Sequence, residues 1–133
     1  MSAEQETTLM LFKPDVYEKG LQDHIEADVQ RLDLRIVERF QISFPPEGVF
    51  HLWPRIYGRR WTASLAATLP RRPLDVFVLK GVEAIERLIV FKDTLRESSA
   101  QVNSYRNLLH SPDSSGAFQR EYAYLRTLRV DAR

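Results

Sequence analysis

Three histidines and no cysteine set the options for nucleophilic chemistry in this chain. Without cysteine, thiolate catalysis, thiolate metal sites and disulfides are all excluded. His24 falls on the polar side of a helical pattern, and His51 lies between Phe50 and Leu52 in a tryptophan-containing region. Both read as surface or packing residues. His110 differs: it follows Asn107-Leu108-Leu109 and precedes Ser111-Pro112-Asp113-Ser114, where a short apolar segment meets a loop. A neutral imidazole, with an unperturbed pKa near 6.5, keeps a free lone pair at pH 7 and can accept a transferring group. A histidine in that setting is structural about as often as catalytic, so its neighbours must decide.

Holding such a residue requires a framework, and apolar periodicity outlines one. Thr8-Leu9-Met10-Leu11-Phe12, ended by Lys13-Pro14-Asp15, reads as a strand buried on both faces. Leu21, Ile25, Val29 and Leu32 recur at helical spacing. Leu34, Ile36, Phe40, Ile42 and Phe44 mark a half-buried strand closed by Pro45-Pro46. Glu47 to Thr68 predicts two short helices broken at Pro54. A third strand, Leu74 to Leu79, stops at Gly81, and Val82, Ile85, Leu88 and Ile89 predict another helix. Thr94 to Arg106 is polar and nonperiodic and reads as a surface loop with room for one helical turn. A short strand near Leu108-Leu109 follows, then a last helix after Ser114-Ser115 carrying Phe118, Tyr122 and Leu125. The order predicts an α+β fold of ferredoxin-like type, an antiparallel four-stranded sheet covered by helices. At this length, one domain over residues 1–133 is expected.

The hydrophobic fraction of 44% and charged fraction of 28% are those of an ordinary globular protein. A net charge of +1 argues against a nucleic-acid coat, which needs a basic face, but leaves room for a small anionic ligand held by a few arginines. Met1 to Thr8 is polar and acidic, without the apolar core of a secretory signal, and no apolar run approaches a membrane span. No membrane association and a cytoplasmic location are expected.

Lys13-Pro14-Asp15 followed by Gly20-Leu21, and Asn107 to Ser114 together with Glu121, resemble the two signature regions of the nucleoside diphosphate kinases. The likeness runs from about Thr8 to Leu125 and implies a ferredoxin-like core, in agreement with the element order. It also implies ping-pong transfer: ATP phosphorylates the histidine, and a nucleoside diphosphate collects the phosphoryl group. Mg²⁺ would be carried by the nucleotide phosphates, and the protein would form a homo-oligomer. Under this resemblance His110 is the nucleophile, Glu121 orients its ring, Lys13 contacts the transferring phosphate and Asn107 bonds the sugar hydroxyl or bridging oxygen. Trp61 would stack the base with Leu65 beside it. Trp53 replaces a tyrosine usual near the lysine, and Thr94 matches a phosphate-binding threonine.

The residue types suit that chemistry on physical grounds. Phosphoryl transfer needs charge stabilisation more than covalent help, and a tryptophan face stacks any base for roughly 1–3 kcal/mol. Each residue also has an ordinary reading: Trp61 as core, Lys13 as a solvated strand-end charge, Glu121 as a partner of Arg120, and Thr94 as a loop hydroxyl.

Three departures from the family pattern stand out. The stretch from Thr94 to Asn107 is several residues short and lacks the glycine-containing segment with a phosphate-binding arginine, for which Arg96 or Arg106 could substitute. The arginine expected before Thr94 is best matched by Arg87, displaced by one residue. The serine two positions after the histidine is Pro112, with neither hydroxyl nor N–H. Weaker charge stabilisation is therefore expected, with self-association that need not reach the family's hexamer. A nucleotide-binding module with little catalysis and a histidine phosphocarrier acting on a protein partner are the competing readings.

Overall fold

In the computed structural model, described over residues 4–53, 62–98 and 108–131, two apolar strands with opposite-facing alternation form the centre of the molecule. β1 (Gln5–Phe12) sends Leu9 and Leu11 to one face of the sheet and Met10 and Phe12 to the other. β3 (Leu74–Val82) does the same with Leu74, Val76 and Val78 against Phe77 and Leu79. Both faces are covered, which is why these strands read as continuous apolar runs. β2 (Arg35–Ile42) pairs with β3, and the two-residue β4 (Leu109–His110) pairs with β1. The sheet is antiparallel, in the order β2-β3-β1-β4.

α1 (Pro14–Glu18) follows β1 directly. α2 (Gln22–Gln30) and α5 (Ala84–Ser98) cover the face of Met10 and Phe77, burying Ile25, Val29, Ala84 and Leu88 there. α3 (Gly48–Leu52), α4 (Thr62–Thr68) and α6 (Ser115–Thr127) cover the opposite face through Val49, Leu52, Leu65 and Leu125. The order β1-α2-β2-β3-α5-β4, with α2 and α5 on one face of a four-stranded antiparallel sheet, makes the α+β, ferredoxin-like fold, and α3, α4 and α6 cover its other face. Among the described residues no helix is long and apolar enough to cross a membrane.

Phe77 is fully buried at the middle of the sheet, its ring centroid 4.8 Å from that of Phe12. Phe77→Ala should lower unfolding stability by about 3–5 kcal/mol in chemical denaturation, the usual cost of emptying an aromatic core site. A loss below about 1 kcal/mol would contradict its place at the centre of the core.

Among the boundaries that differ from the sequence expectation, two have a clear physical reason. β3 runs through Gly81 to Val82, because the Asp33 turn lies over that glycine. A Cβ at residue 81 would meet the Asp33 carbonyl oxygen and the Leu34 side chain, each at 2.9 Å, so the glycine permits a close approach and does not end the strand. Thr94 to Ser98, expected in a loop, are the last residues of α5. The helix continues through polar residues because only its Ala84-Leu88-Lys92 stripe is buried.

Candidate active site

The chain reaches the candidate site at the end of β1. Lys13 follows that strand, and its backbone N–H donates to the carbonyl oxygen of Leu108 at 2.9 Å. Asp15 Oδ2 accepts the Leu108 N–H at 3.1 Å. Leu108 is fully buried with φ +73°, a left-handed conformation costing a non-glycine residue about 1–3 kcal/mol. The Lys13 amide and the Asp15 carboxylate thus clamp a strained residue two positions before His110. β4 pairs Leu11 with His110 and Phe12 with Leu109. Leu109 joins the core under α5, so the alternation turns His110 to the opposite face, toward α3 and α6.

On that face both imidazole nitrogens are engaged. Nε2 lies 2.6 Å from Glu121 Oε1, and Trp53 Nε1 donates to Nδ1 at 3.0 Å. An indole nitrogen only donates, and an ionised carboxylate only accepts. The pair therefore selects the neutral tautomer with its proton on Nε2 and its lone pair on Nδ1. Burial lowers the His110 pKa; the attraction of Glu121 opposes this shift, while Lys13 and Lys92 reinforce it. The contact with Glu121 is accordingly a hydrogen bond of neutral histidine more than an ion pair.

Glu121 is 4% exposed on α6, a helix whose N-cap Ser114 accepts the Ala117 N–H. Its second oxygen receives Arg120 Nη2 at 3.4 Å, and the same guanidinium donates to the His51 carbonyl at 3.2 Å. Arg120 thus contacts the carboxylate that Pro112, lacking a hydroxyl, cannot support.

Three cations converge around this pair. Lys13, 5% exposed, places Nζ 5.0 Å from the Trp53 ring centroid. Its pKa is pushed down to about 7, first by burial and then by Arg96, with Asp15 opposing. Arg96 Nη2 donates to the Leu109 carbonyl at 2.6 Å. Lys92, one turn earlier on α5, is 8% exposed, and burial followed by Arg96 lowers its pKa against the pull of Asp113, Asp93 and Glu121. The sequence reading missed Lys92. Its signal was the stripe Ala84-Leu88-Lys92, where a lysine occupies an apolar position at the end that faces the histidine. Desolvated cations of one sign, beside a neutral imidazole whose lone pair on Nδ1 is held only by the Trp53 N–H, are suited to an anionic electrophile such as a phosphoryl group.

No protein-family model matches the chain. Its structure is similar to the nucleoside diphosphate kinase of Aquifex aeolicus, with a TM-score of 0.75 and 24% identity, over 91% of this chain and 94% of that one. It is also similar to the halophilic nucleoside diphosphate kinase from Halobacterium salinarum in complex with CDP, with a TM-score of 0.77 and 20% identity, over 98% and 94% of the two chains. The chain has the nucleoside diphosphate kinase fold.

Within this nucleoside diphosphate kinase fold, His110, Lys13, Glu121, Trp53 and Arg96 come together as described, whereas Arg87 and Thr94 are placed elsewhere and Leu65 lies in the core that Trp53 packs against. Arg87 Nη1 donates to the Leu32 carbonyl at 2.9 Å. That is the opposite end of the sheet, where Arg35 lies level with Lys80 and Thr7, roughly 16 Å along the strands from Phe12. Arg87 is near the N-terminus of α5, and the site is at its C-terminal end. Thr94 is exposed: two residues beyond Lys92 it is turned about 200° around the helix, so Lys92 and Arg96 take the inward direction instead. Leu65 is 2% exposed within the apolar core, beside Val49 and Leu52. Trp61, Arg106 and Asn107 lie outside the described residues. His24 pairs with Asp28 on the surface and His51 stacks on Tyr124, both structural placements.

Proposed function

We propose that this chain transfers the terminal phosphoryl group of ATP to a nucleoside diphosphate through a phosphohistidine at His110. The observation that carries this reading is the His110 environment: Nε2 on a buried carboxylate at 2.6 Å, with Nδ1 as the lone-pair nitrogen and Lys13 and Lys92 as the cations acting on the ring. In the first half-reaction the Nδ1 lone pair forms the N–P bond as the bond from the γ-phosphorus to its bridging oxygen breaks, and the diphosphate leaves with that electron pair. The second half-reaction reverses this with another diphosphate as acceptor. Throughout, the Nε2 proton stays in its bond to Glu121, which stabilises positive charge developing on the ring. Lys13, Lys92 and Arg96 offset charge on the transferring group and leaving oxygen.

Among the described residues no three acidic or histidine side chains cluster to hold a metal ion, and the charges nearest His110 are mainly cationic. That donor set suits Mg²⁺ only as a passenger on the nucleotide phosphates, as part of the substrate. The CDP-bound Halobacterium salinarum neighbour supports a nucleotide as the ligand class. A homo-oligomeric, cytoplasmic enzyme acting as one domain over residues 1–133 completes this reading.

Incubation with γ-labelled ATP should label the wild-type protein in an acid-labile bond, and added nucleoside diphosphate should remove the label into a triphosphate. Absence of label, or label that survives acid, would sink the proposal. The competing reading, a nucleotide-binding module with weak transfer, is favoured by one observation, the indole N–H already on Nδ1. Nucleotide-dependent stabilisation without label is its expected signature.

A further inference from the structure

We propose that Trp53 is a positioning residue for the phosphoryl acceptor: its indole N–H holds the Nδ1 lone pair of His110 at rest and yields it when the phosphoryl group arrives. This rests on the phosphotransfer reading above and deepens it, by naming the group that guards the reacting nitrogen.

Trp53 is the C-terminal cap of α3, with φ −125° and ψ 76°, and its half-buried ring packs on the core formed by Val49, Leu52 and Leu65. The indole meets the imidazole edge-on, at 85° with centroids 5.0 Å apart, so that Nε1 reaches Nδ1 at 3.0 Å. Because that N–H can only donate, the contact is compatible only with an unprotonated Nδ1. Glu121 makes the complementary demand at Nε2. Together the two contacts remove the alternative tautomer, in which Nε2 would carry the lone pair and Nδ1 the proton. Nε2 is thereby closed as an acceptor, since its lone pair is replaced by a proton bound toward the carboxylate.

The same bond occupies the direction from which phosphorus must approach. As the N–P bond forms and the phosphorus–oxygen bond breaks, no proton moves at Nδ1. The indole N–H has to swing off first, and breaking that contact is part of the barrier. Lys13 Nζ, 5.0 Å from the indole centroid, lies on the ring that has to move. An anion drawing Lys13 toward itself would therefore loosen the cation–ring contact as it arrives.

The test uses potassium phosphoramidate, a small phosphoryl donor that needs no nucleotide site, on wild type, Trp53→Phe and His110→Asn. Phenylalanine keeps an aromatic ring and removes the N–H. Trp53→Phe should be labelled at residue 110 about 3- to 10-fold faster than wild type, the effect of one hydrogen bond no longer broken on the way, with ³¹P NMR placing phosphorus on Nδ1 in both. His110→Asn sets the background. A Trp53→Phe rate equal to or below the wild-type rate, or phosphorus on Nε2, overturns the proposal; a tryptophan needed only for packing would give the slower rate. The wild type alone provides a second measurement that does not depend on the variant folding. ¹⁵N NMR should show neutral His110 protonated at Nε2, and a dominant Nδ1–H tautomer overturns the proposal. Failure of the two ideas is separable. No label from ATP with faster phosphoramidate labelling of Trp53→Phe removes the kinase reading and keeps the role of Trp53. Label from ATP with no acceleration removes only the role of Trp53.

Discussion

Replacing His110 with asparagine is expected to lower phosphoryl transfer from ATP to a nucleoside diphosphate by about 10⁴-fold or more, the usual consequence of deleting a covalent nucleophile. Nucleotide binding should persist, because Lys13, Lys92 and Arg96 remain. The fold should survive too: the His110 side chain is 12% exposed in a two-residue strand, and the Leu109 side chain, on the other face, is the one in the core. Coupled turnover assays and a thermal melt with and without nucleotide would separate these effects. Residual turnover above about one hundredth of wild type would mean that another group accepts the phosphoryl. The wild-type pH profile follows from the same environment. Burial moves the His110 pKa below its ordinary 6.5, so imidazole protonation should cost activity only on the acid side of that value.

Lys13→Met is expected to lower transfer by about 10²–10³-fold, the cost of one preorganised charge at a developing anion, and at the same time to make the unliganded protein more stable near neutral pH. The second effect has a definite sign. In the folded chain the Lys13 pKa is down at about 7, from 10.5 for the free side chain. Between those values the unfolded chain binds a proton that the folded chain does not, so stability contributed through this residue rises with pH across that window. At and below neutrality the buried charge is a full penalty, offset only in part by Asp15. Methionine removes the penalty and keeps the side-chain length. Denaturation at several pH values should show a shallower rise from pH 7 to 10 in the variant. A phosphate arriving beside Lys13 reverses the shift, because an adjacent anion favours the ammonium. At pH 8, nucleotide binding should therefore take up about one proton, measurable by calorimetry in buffers of different ionisation enthalpy and absent in Lys13→Met. Equal uptake in both proteins would assign the proton elsewhere.

The stability gain expected of Lys13→Met points to a wider feature of the site, which concentrates unfavourable placements. Leu108 is left-handed, Lys13 and Lys92 are desolvated, and among the described residues Asp15 Oδ1 and Ser111 Oγ are buried without a hydrogen-bond partner. Lys92 reaches the site from α5, and the others lie within a few residues of His110 or at the end of β1 against it. The apolar packing under β1 and β3 holds them there, as strained groups at functional positions generally require.

Much of this was legible in the chain itself, where the physics is local. Continuous apolar runs marked β1 and β3, which are buried on both faces, alternation marked β2, and helical spacing marked the main helices, since burial leaves its pattern in the sequence. Ser114 marked the start of the last helix because a hydroxyl at that position satisfies an otherwise unpaired amide. His110, Lys13 and Glu121 stood out from residue type, motif and spacing. What spacing could not convey was direction in three dimensions. Arg87 was the best match to the expected arginine although displaced by one residue, yet it lies at the other end of α5, and Thr94 faces solvent because the helix runs through it. Lys92 and Arg96 share the inward stripe, a fact that depends on where the helix ends and which side it lays on the sheet. The orientation of the imidazole was likewise a tertiary result. His110 was visible in the sequence as a well-placed lone pair, but which nitrogen carries it follows from Glu121 on α6 and Trp53 at the end of α3, residues 11 and 57 positions away. Only the folded sheet brings an acceptor and a donor to the two sides of one ring.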